Sequence, residues 1–203
     1  MRVGLTGGIA SGKTTTANIL RALGAAVIDS DELAHEAIVP GQPAYREIVE
    51  QFGTSILDAE GRIDRHKLGE IVFNDDIQRK KLNAIVHPRV RAEWQKRSMA
   101  VESGPVPRLA MAMIPLLYET NLEREFKSVI VVGCHEETQA ARLAARGLNA
   151  HQVRARLRAQ LPIAGKLARA DFVIWNEYSL AILEQQTCRI WNELSTQLNQ
   201  RRN

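Results

Sequence analysis

The residues best suited to chemistry stand at the front of the chain, in "MRVGLTGGIASGKTTT". Gly7-Gly8-Ile9-Ala10-Ser11-Gly12-Lys13-Thr14 fits G-x-x-x-x-G-K-[ST] without a mismatch, after an apolar run and before a helical pattern. Glycine reaches backbone conformations closed to other residues, which lets successive amides converge on phosphate oxygens. The helix that follows aims its unpaired N–H groups and positive dipole end at the same anion. Lys13 is placed to reach the β and γ phosphates, and the Thr14 hydroxyl to complete the coordination of Mg2+. Gly7, Gly8, Ala10, Ser11, Gly12, Lys13, Thr14 and Thr15 are therefore expected to hold a nucleoside triphosphate. A dinucleotide fingerprint is excluded, because the glycines do not read G-x-G-x-x-G.

The same loop serves GTPases, motor ATPases and small-molecule kinases. No guanine-reading Asn-Lys-x-Asp occurs. Asp58-Ala59-Glu60-Gly61 fits Asp-x-x-Gly but follows no strand and reads as a turn. The one run comparable to a motor ATPase strand, "MAMIPLLYE", has no Asp and reaches Glu119 through a proline. A kinase for a small acceptor is the class left in front. Such an enzyme needs a group that orients the acceptor hydroxyl and takes its proton. "AAVIDSD" supplies Asp29 at the end of a strand and Asp31 two residues later. Ligands gather at the carboxyl ends of strands in open parallel sheets. Asp29 also suits the N-cap of "SDELAHEAI", with Asp31 in that helix's first turn, so a purely structural reading of the pair stays open.

Short apolar runs alternate with helical patterns, which points to an α/β fold on a parallel sheet. Strands are expected at Arg2–Leu5, Ala25–Asp29, Arg108–Pro115, Ser128–Gly133 and Phe172–Trp175. They are near-continuous apolar runs, as strands covered on both faces require. The first helix should run to Leu23, with Gly24 as its left-handed stop. Residues 33–104 read as an inserted helical lobe, with a new helix starting after His87-Pro88. Residues 1–32 and 105–203 make the sheet domain, and "QLNQRR" before Asn203 should fray. The chain has 203 residues, 45% hydrophobic and 25% charged, ordinary for one soluble unit with lobes. "RLAMAMIPLLYE" is too short to span a membrane, and "MRVGLTGG" has no signal-peptide core. Two distant cysteines, Cys134 and Cys188, suggest neither a metal site nor a disulfide framework, and a reducing cytoplasm.

At this point the residues resemble a family. "LTGGIASGKTT", "VIDSDELA", "GRIDRHKLGEIVF", "LNAIVHPRV", "IPLLYE", "CHEETQAARLAAR" and "ARADFVIWN" recur in the order and approximate spacing of dephospho-CoA kinases, from Gly4 to Asn176. The resemblance implies ATP-dependent phosphorylation of the ribose 3′-hydroxyl of dephospho-CoA, the last step of coenzyme A synthesis. It implies a P-loop core, an acceptor lobe and a lid. It makes Asp31 the general base with Asp29 in support, and gives Arg65, His87, Leu116 and Glu119 to the acceptor side. Arg142 and Arg146 become lid residues on the ATP, and Asn176 lies near the adenine. Ala10 stands where glycine is common, and Trp175 and Glu177-Tyr178 replace the usual Asp and Gly around Asn176. ATP, dephospho-CoA and Mg2+ are the implied partners, with no nucleic acid or membrane, in a monomer or weak oligomer.

The net charge is +4, but from Thr138 to Ala170 every charge is positive. Arg142 and Arg146 are four apart and should share one helix face. Asn149 can cap a second helix, "AHQVRARLRAQL", on which Val153, Leu157 and Leu161 form an apolar stripe. Two arginine-bearing helices joined at Gly147 could close over a triphosphate as a lid spanning about 138–170. The competing reading, a nucleic-acid-binding ATPase, uses these arginines on a phosphate backbone, and its binding would weaken steeply with salt. His35, His66, His135 and His151 lack ligand spacing. Cys134 reads as a packed small residue and Arg169 as structural. Trp94 and Trp191 read as packing, and Met99, Met111 and Met113 as core fillers.

Overall fold

In a computed structural model, which describes residues 1–104 and 108–200, the elements run in chain order from β1 (Arg2–Gly7), α1 (Lys13–Ala22) and β2 (Ala26–Asp29). Helices α2 (Ser30–Ala37), α3 (Pro43–Phe52), α4 (Arg65–Asn74) and α5 (Asp76–Glu102) follow. Then come β3 (Ala110–Met113), β4 (Ser128–Gly133), α6 (Glu136–Ala144), α7 (Ala150–Arg158), α8 (Ile163–Leu167), β5 (Phe172–Trp175) and α9 (Leu180–Gln200). The boundary expected at residue 105 and the frayed end at Asn203 lie outside the described residues.

The five strands form one sheet in the order β2-β3-β1-β4-β5, and β1 pairs parallel with β3 and β4. The chain is α/β, as its alternating pattern requires. On one face Val3 and Leu5 of β1 and Ile130 and Val132 of β4 pack against Ala17 and Leu20 of α1 and Leu183, Ile190 and Leu194 of α9. On the other face Leu117 and Phe126 press against Gly4, where an added Cβ would lie 2.7 Å from Leu117 Cδ1. Ser128–Gly133 is buried along its whole length, which is why β4 carries no polar alternation. Gly24 follows α1 with φ +107°, a left-handed stop that its missing Cβ permits.

The chain divides into two compact units, residues 1–28 with 98–203 and residues 29–97. The second is helical, with a core of Ile48, Ile56, Ile63, Leu68 and Val86. Asp58-Ala59-Glu60-Gly61 is the expected turn: the Asp58 carboxylate accepts from the Glu60 and Arg62 N–H groups, and Gly61 has φ +76°. These bonds, the backbone one from Arg62 foremost, hold the Asp58 carboxyl below its ordinary range.

Three expectations need correction. No helix starts after Pro88: α5 runs through it, with Pro88 in its interior. An internal proline costs about 3 kcal/mol. Val86 before it is buried, and Leu82 and Ile85 before it and Val90 after it pack partly buried into the same core. Full burial of such a side chain is worth roughly 1.5–3 kcal/mol and partial burial less, so the four together offset the proline penalty. One continuous helix buries both sets, and the Arg89 guanidinium donates to the Ile85 carbonyl in the turn that Pro88 loosens. Met99 is no core filler but 53% exposed, whereas Met111 and Met113 are buried. Arg146 does not belong to the helix of Arg142. Leu148 N–H bonds the Leu143 carbonyl and Gly147 N–H the Ala144 carbonyl, with Gly147 at φ +87°, and this glycine-closed turn ends α6 before Arg146.

Candidate active site

The loop between β1 and α1 occupies the carboxyl end of a central strand, where an open parallel sheet offers its ligand crevice. Its glycines are required by close neighbours. A Cβ on Gly7 would lie 2.0 Å from the Val132 carbonyl oxygen, one on Gly8 2.1 Å from Gln139 Nε2, and one on Gly12 2.2 Å from Asn176 Nδ2. Gly12 has φ +102°, and Ala10 takes φ +57°, a left-handed conformation unusual for a residue with a side chain. Lys13, the first residue of α1, turns its ammonium onto the carbonyls of Gly7 (3.1 Å) and Gly8 (2.7 Å). Thr14 and Thr15 are exposed in the first turn of the helix. Ser11 Oγ is buried with no hydrogen-bond partner among the described residues. A buried hydroxyl without a partner is costly unless a ligand supplies one.

Residues far along the chain close on this loop. Arg142 of α6 donates to the Ala10 carbonyl at 3.2 Å and to the Asn176 carbonyl at 3.0 Å, and lies 3.7 Å from Cys134 Sγ. Asn176 Nδ2 donates to the Ser11 carbonyl at 2.8 Å. Burial pushes the Cys134 thiol up despite the charges of Arg142 and Lys13, so it stays protonated and acts as packing. Arg146 is exposed beyond the end of α6. Asn149 caps α7 in a reciprocal box with Gln152, as expected. Val153 is buried and Leu157 partly so, but α7 stops at Arg158, leaving Leu161 outside the helix.

The Pro115–Glu119 segment is fastened from two sides. Thr6 Oγ1 donates to the Pro115 carbonyl at 3.2 Å, and Lys166 Nζ to the same oxygen at 3.3 Å. Glu119 Oε1 accepts from Lys166 Nζ at 2.8 Å and from the Leu161 N–H at 2.9 Å. Leu116 is half-buried, and Tyr118 is buried with its hydroxyl on the Arg169 carbonyl and the Arg169 guanidinium 4.4 Å over its ring. Burial pushes the Tyr118 phenol up to about 12. Lys166 is wholly buried and Glu119 largely so. Removing one partner of a buried pair costs about 3–5 kcal/mol. Lys166→Met is therefore expected to lower the stability by about 3 kcal/mol in urea titrations, and Lys166→Met with Glu119→Gln to regain most of it. A single variant as stable as the wild type would show that the pair carries no weight.

Near the expected adenine segment, Glu177 accepts from the His135 N–H at the start of α6 and from Thr138 Oγ1 at 2.8 Å. Desolvation raises its pKa, but these donors and the nearby Arg142 outweigh that and hold the carboxyl below its ordinary value. The His135 ring meets Trp175 edge-on at 4.9 Å. Of the residues that replace the usual Asp and Gly around Asn176, Glu177 braces the start of α6 and Trp175 packs on His135, whereas Tyr178 is exposed.

In the second unit, Asp29 is the N-cap of α2, its carboxylate accepting from the Asp31 N–H at 2.9 Å. Asp31 stands exposed in the first turn beside Glu32. Arg65 opens α4 behind its N-cap Asp64 and lines an open cleft with His35, Asp58, Arg62 and His66. His87, in mid-α5, is not among that cleft's lining residues, and partial desolvation of its ring holds its pKa below the ordinary value. Among the described residues no cluster of His, Cys, Asp or Glu is arranged to hold a metal, and no helix is long and apolar enough to cross a membrane. Nothing in the spacing of Gln139 and Gln160 marks them in the sequence, while Lys166 reads there only as one charge of a basic run and Glu177 only as a departure beside Asn176.

Comparisons with known proteins identify the family. The family model described as dephospho-CoA kinase matches residues 1–181. A dephospho-CoA kinase of Thermobifida fusca is 44% identical over 202 residues, covering 99% of this chain and 100% of its own. One of Geobacillus kaustophilus is 46% identical over 195 residues, 91% of this chain and 96% of its own. The structure of dephospho-CoA kinase from Campylobacter jejuni superposes with a TM-score of 0.72 at 31% identity, over 96% of this chain and 97% of that one. The chain belongs to the dephospho-CoA kinase family.

Proposed function

We propose that this protein transfers the γ-phosphoryl group of ATP to the ribose 3′-hydroxyl of dephospho-CoA, giving coenzyme A and ADP. The observation that carries the reading is the family match over residues 1–181, which spans the phosphate loop, the Asp29–Asp31 segment and the arginine-bearing helices. In this reading Gly7, Gly8, Ala10, Ser11, Gly12, Lys13, Thr14 and Thr15 hold the triphosphate. Arg142 and Arg146, in a lid of about residues 138–170, neutralise charge on the transferring group, and Asn176 lies toward the adenine. Asp31 takes the acceptor proton, with Asp29 in support. Arg65, His87, Leu116 and Glu119 serve the acceptor, with residues 33–104 as its lobe and residues 1–32 and 105–203 as the nucleotide-binding core.

The loop fits Mg2+: the Thr14 hydroxyl is a hard oxygen donor at the start of α1, and the Ser11 hydroxyl, which has no partner among the described residues, lies buried in the same loop. Thr14 would hold the ion together with ATP phosphates, and the ion would supply charge neutralisation there. The reading takes the protein to work in the cytoplasm as a monomer or weak oligomer, without nucleic acid or membrane.

An assay coupling ADP release to NADH oxidation tests it. ADP production is expected to depend on dephospho-CoA, and the product to carry a new 3′-phosphate by mass spectrometry. ATP turnover indifferent to that acceptor, or faster with another small alcohol in a parallel panel, would overturn the assignment.

A further inference from the structure

The phosphate loop is held from outside by its carbonyls. Gln139 Nε2 donates to the Ile9 carbonyl at 2.7 Å, Arg142 to that of Ala10 and Asn176 to that of Ser11, while Gln160 Oε1 accepts the Ile9 N–H at 2.9 Å. In a trans peptide the C=O of one residue and the N–H of the next point in opposite directions. Anchoring three successive carbonyls on outside side chains therefore turns the N–H groups of Ala10, Ser11 and Gly12 the other way. The Ser11 N–H makes a long 3.3 Å contact with the Gly8 carbonyl, the oxygen that also receives the Lys13 ammonium. The Ser11 amide thus shares its acceptor with the lysine. Ala10, between two anchored carbonyls, carries the left-handed backbone, and such a conformation persists when its surroundings over-determine it.

We propose that Gln139 is a positioning residue for phosphoryl transfer, which sets the anion-binding amides of the loop before nucleotide arrives. Gln139 is buried and packs against Gly8, so the amide has little freedom to leave the Ile9 carbonyl. A buried amide donor aimed at one carbonyl fixes that peptide at no cost when the anion binds, which is the physical meaning of preorganisation. Asn176 does the same two residues later, through Ser11. The proposal rests on the reading of the loop as an ATP site.

Gln139→Met keeps the volume and removes the donor. Isothermal titration of the full chain with ATP and ADP, and competition by AMP, reads the effect. The expected result is about 10-fold weaker ATP and ADP, as for loss of one hydrogen bond to a buried acceptor, with AMP nearly unchanged. Wild type and variant binding ATP equally, or AMP weakening as much as ATP, would overturn the proposal. A wild type that binds no ATP would instead bring down the nucleotide reading itself. Should Gln139→Met melt far below wild type, Gln160→Met gives an independent reading at the Ile9 N–H, with the same selective loss of ATP and ADP expected and the same outcomes against it.

Discussion

Lys13→Ala is expected to fold normally and to lose phosphoryl transfer by about 10³-fold in kcat, with a smaller loss of ATP affinity. Removing one preorganised donor from a site that stabilises transition-state charge costs on the order of 10²–10³ in rate. A loose phosphoryl-transfer transition state depends chiefly on such donors, which places Lys13 at the upper end. Stability should barely change. The ammonium's partners include the carbonyls of Gly7 and Gly8, and the Ser11 N–H remains on Gly8 after truncation. Circular dichroism melts of both proteins, beside steady-state rates at saturating ATP, separate the two effects. A rate within threefold of wild type would remove Lys13 from the reaction.

That prediction could be written from the sequence, because the glycine loop announces itself by local spacing. Gly7, Gly12, Lys13 and Thr14 sit at fixed offsets, and the strand and helix around them are short-range features. Ser128–Gly133 and Phe172–Trp175 were legible as strands for a related reason, being short continuous apolar runs, but only the first is covered on both faces: β5 lies at the sheet edge with Val173 exposed. The Asn149–Gln152 capping box was half-legible, since Asn149 falls just before a helical pattern. The misreadings share the opposite cause. Pro88 signals a helix start locally, yet Val86 and Val90 are held by one core formed from α3, α4 and the Ile56–Ile63 turn, and burial outweighs the proline penalty. Arg142 and Arg146 look paired at helical spacing, yet the turn closed at Gly147 ends the helix between them. Gln139, Gln160 and Lys166 act across 130, 151 and 51 residues of sequence, onto Ile9 and Pro115. A glutamine gives no periodic signal, and a lysine in a basic run reads as solvated until burial is known.

Asp31→Asn is expected to reduce kcat by about 10³-fold while leaving ATP affinity unchanged, since general-base contributions span roughly 10²–10⁴. The structural share of the residue is small by comparison. As a first-turn anion in α2, Asp31 stabilises the helix by about 0.3–1 kcal/mol, far below the roughly 4 kcal/mol that a 10³-fold rate loss represents. Asp29 supplies the control. Its carboxylate caps α2 through the Asp31 N–H, and asparagine caps helices as well as aspartate does. Asp29→Asn therefore keeps the cap and removes only the charge, whereas Asp29→Ala loses both and about 1 kcal/mol of stability. If Asp31 is the base, Asp29→Asn retains most of the turnover and Asp31→Asn does not. Initial rates at saturating ATP and dephospho-CoA, measured beside urea denaturation of all three variants, decide between the two carboxylates. Wild-type turnover in Asp31→Asn together with a collapse in Asp29→Asn would transfer the base to Asp29.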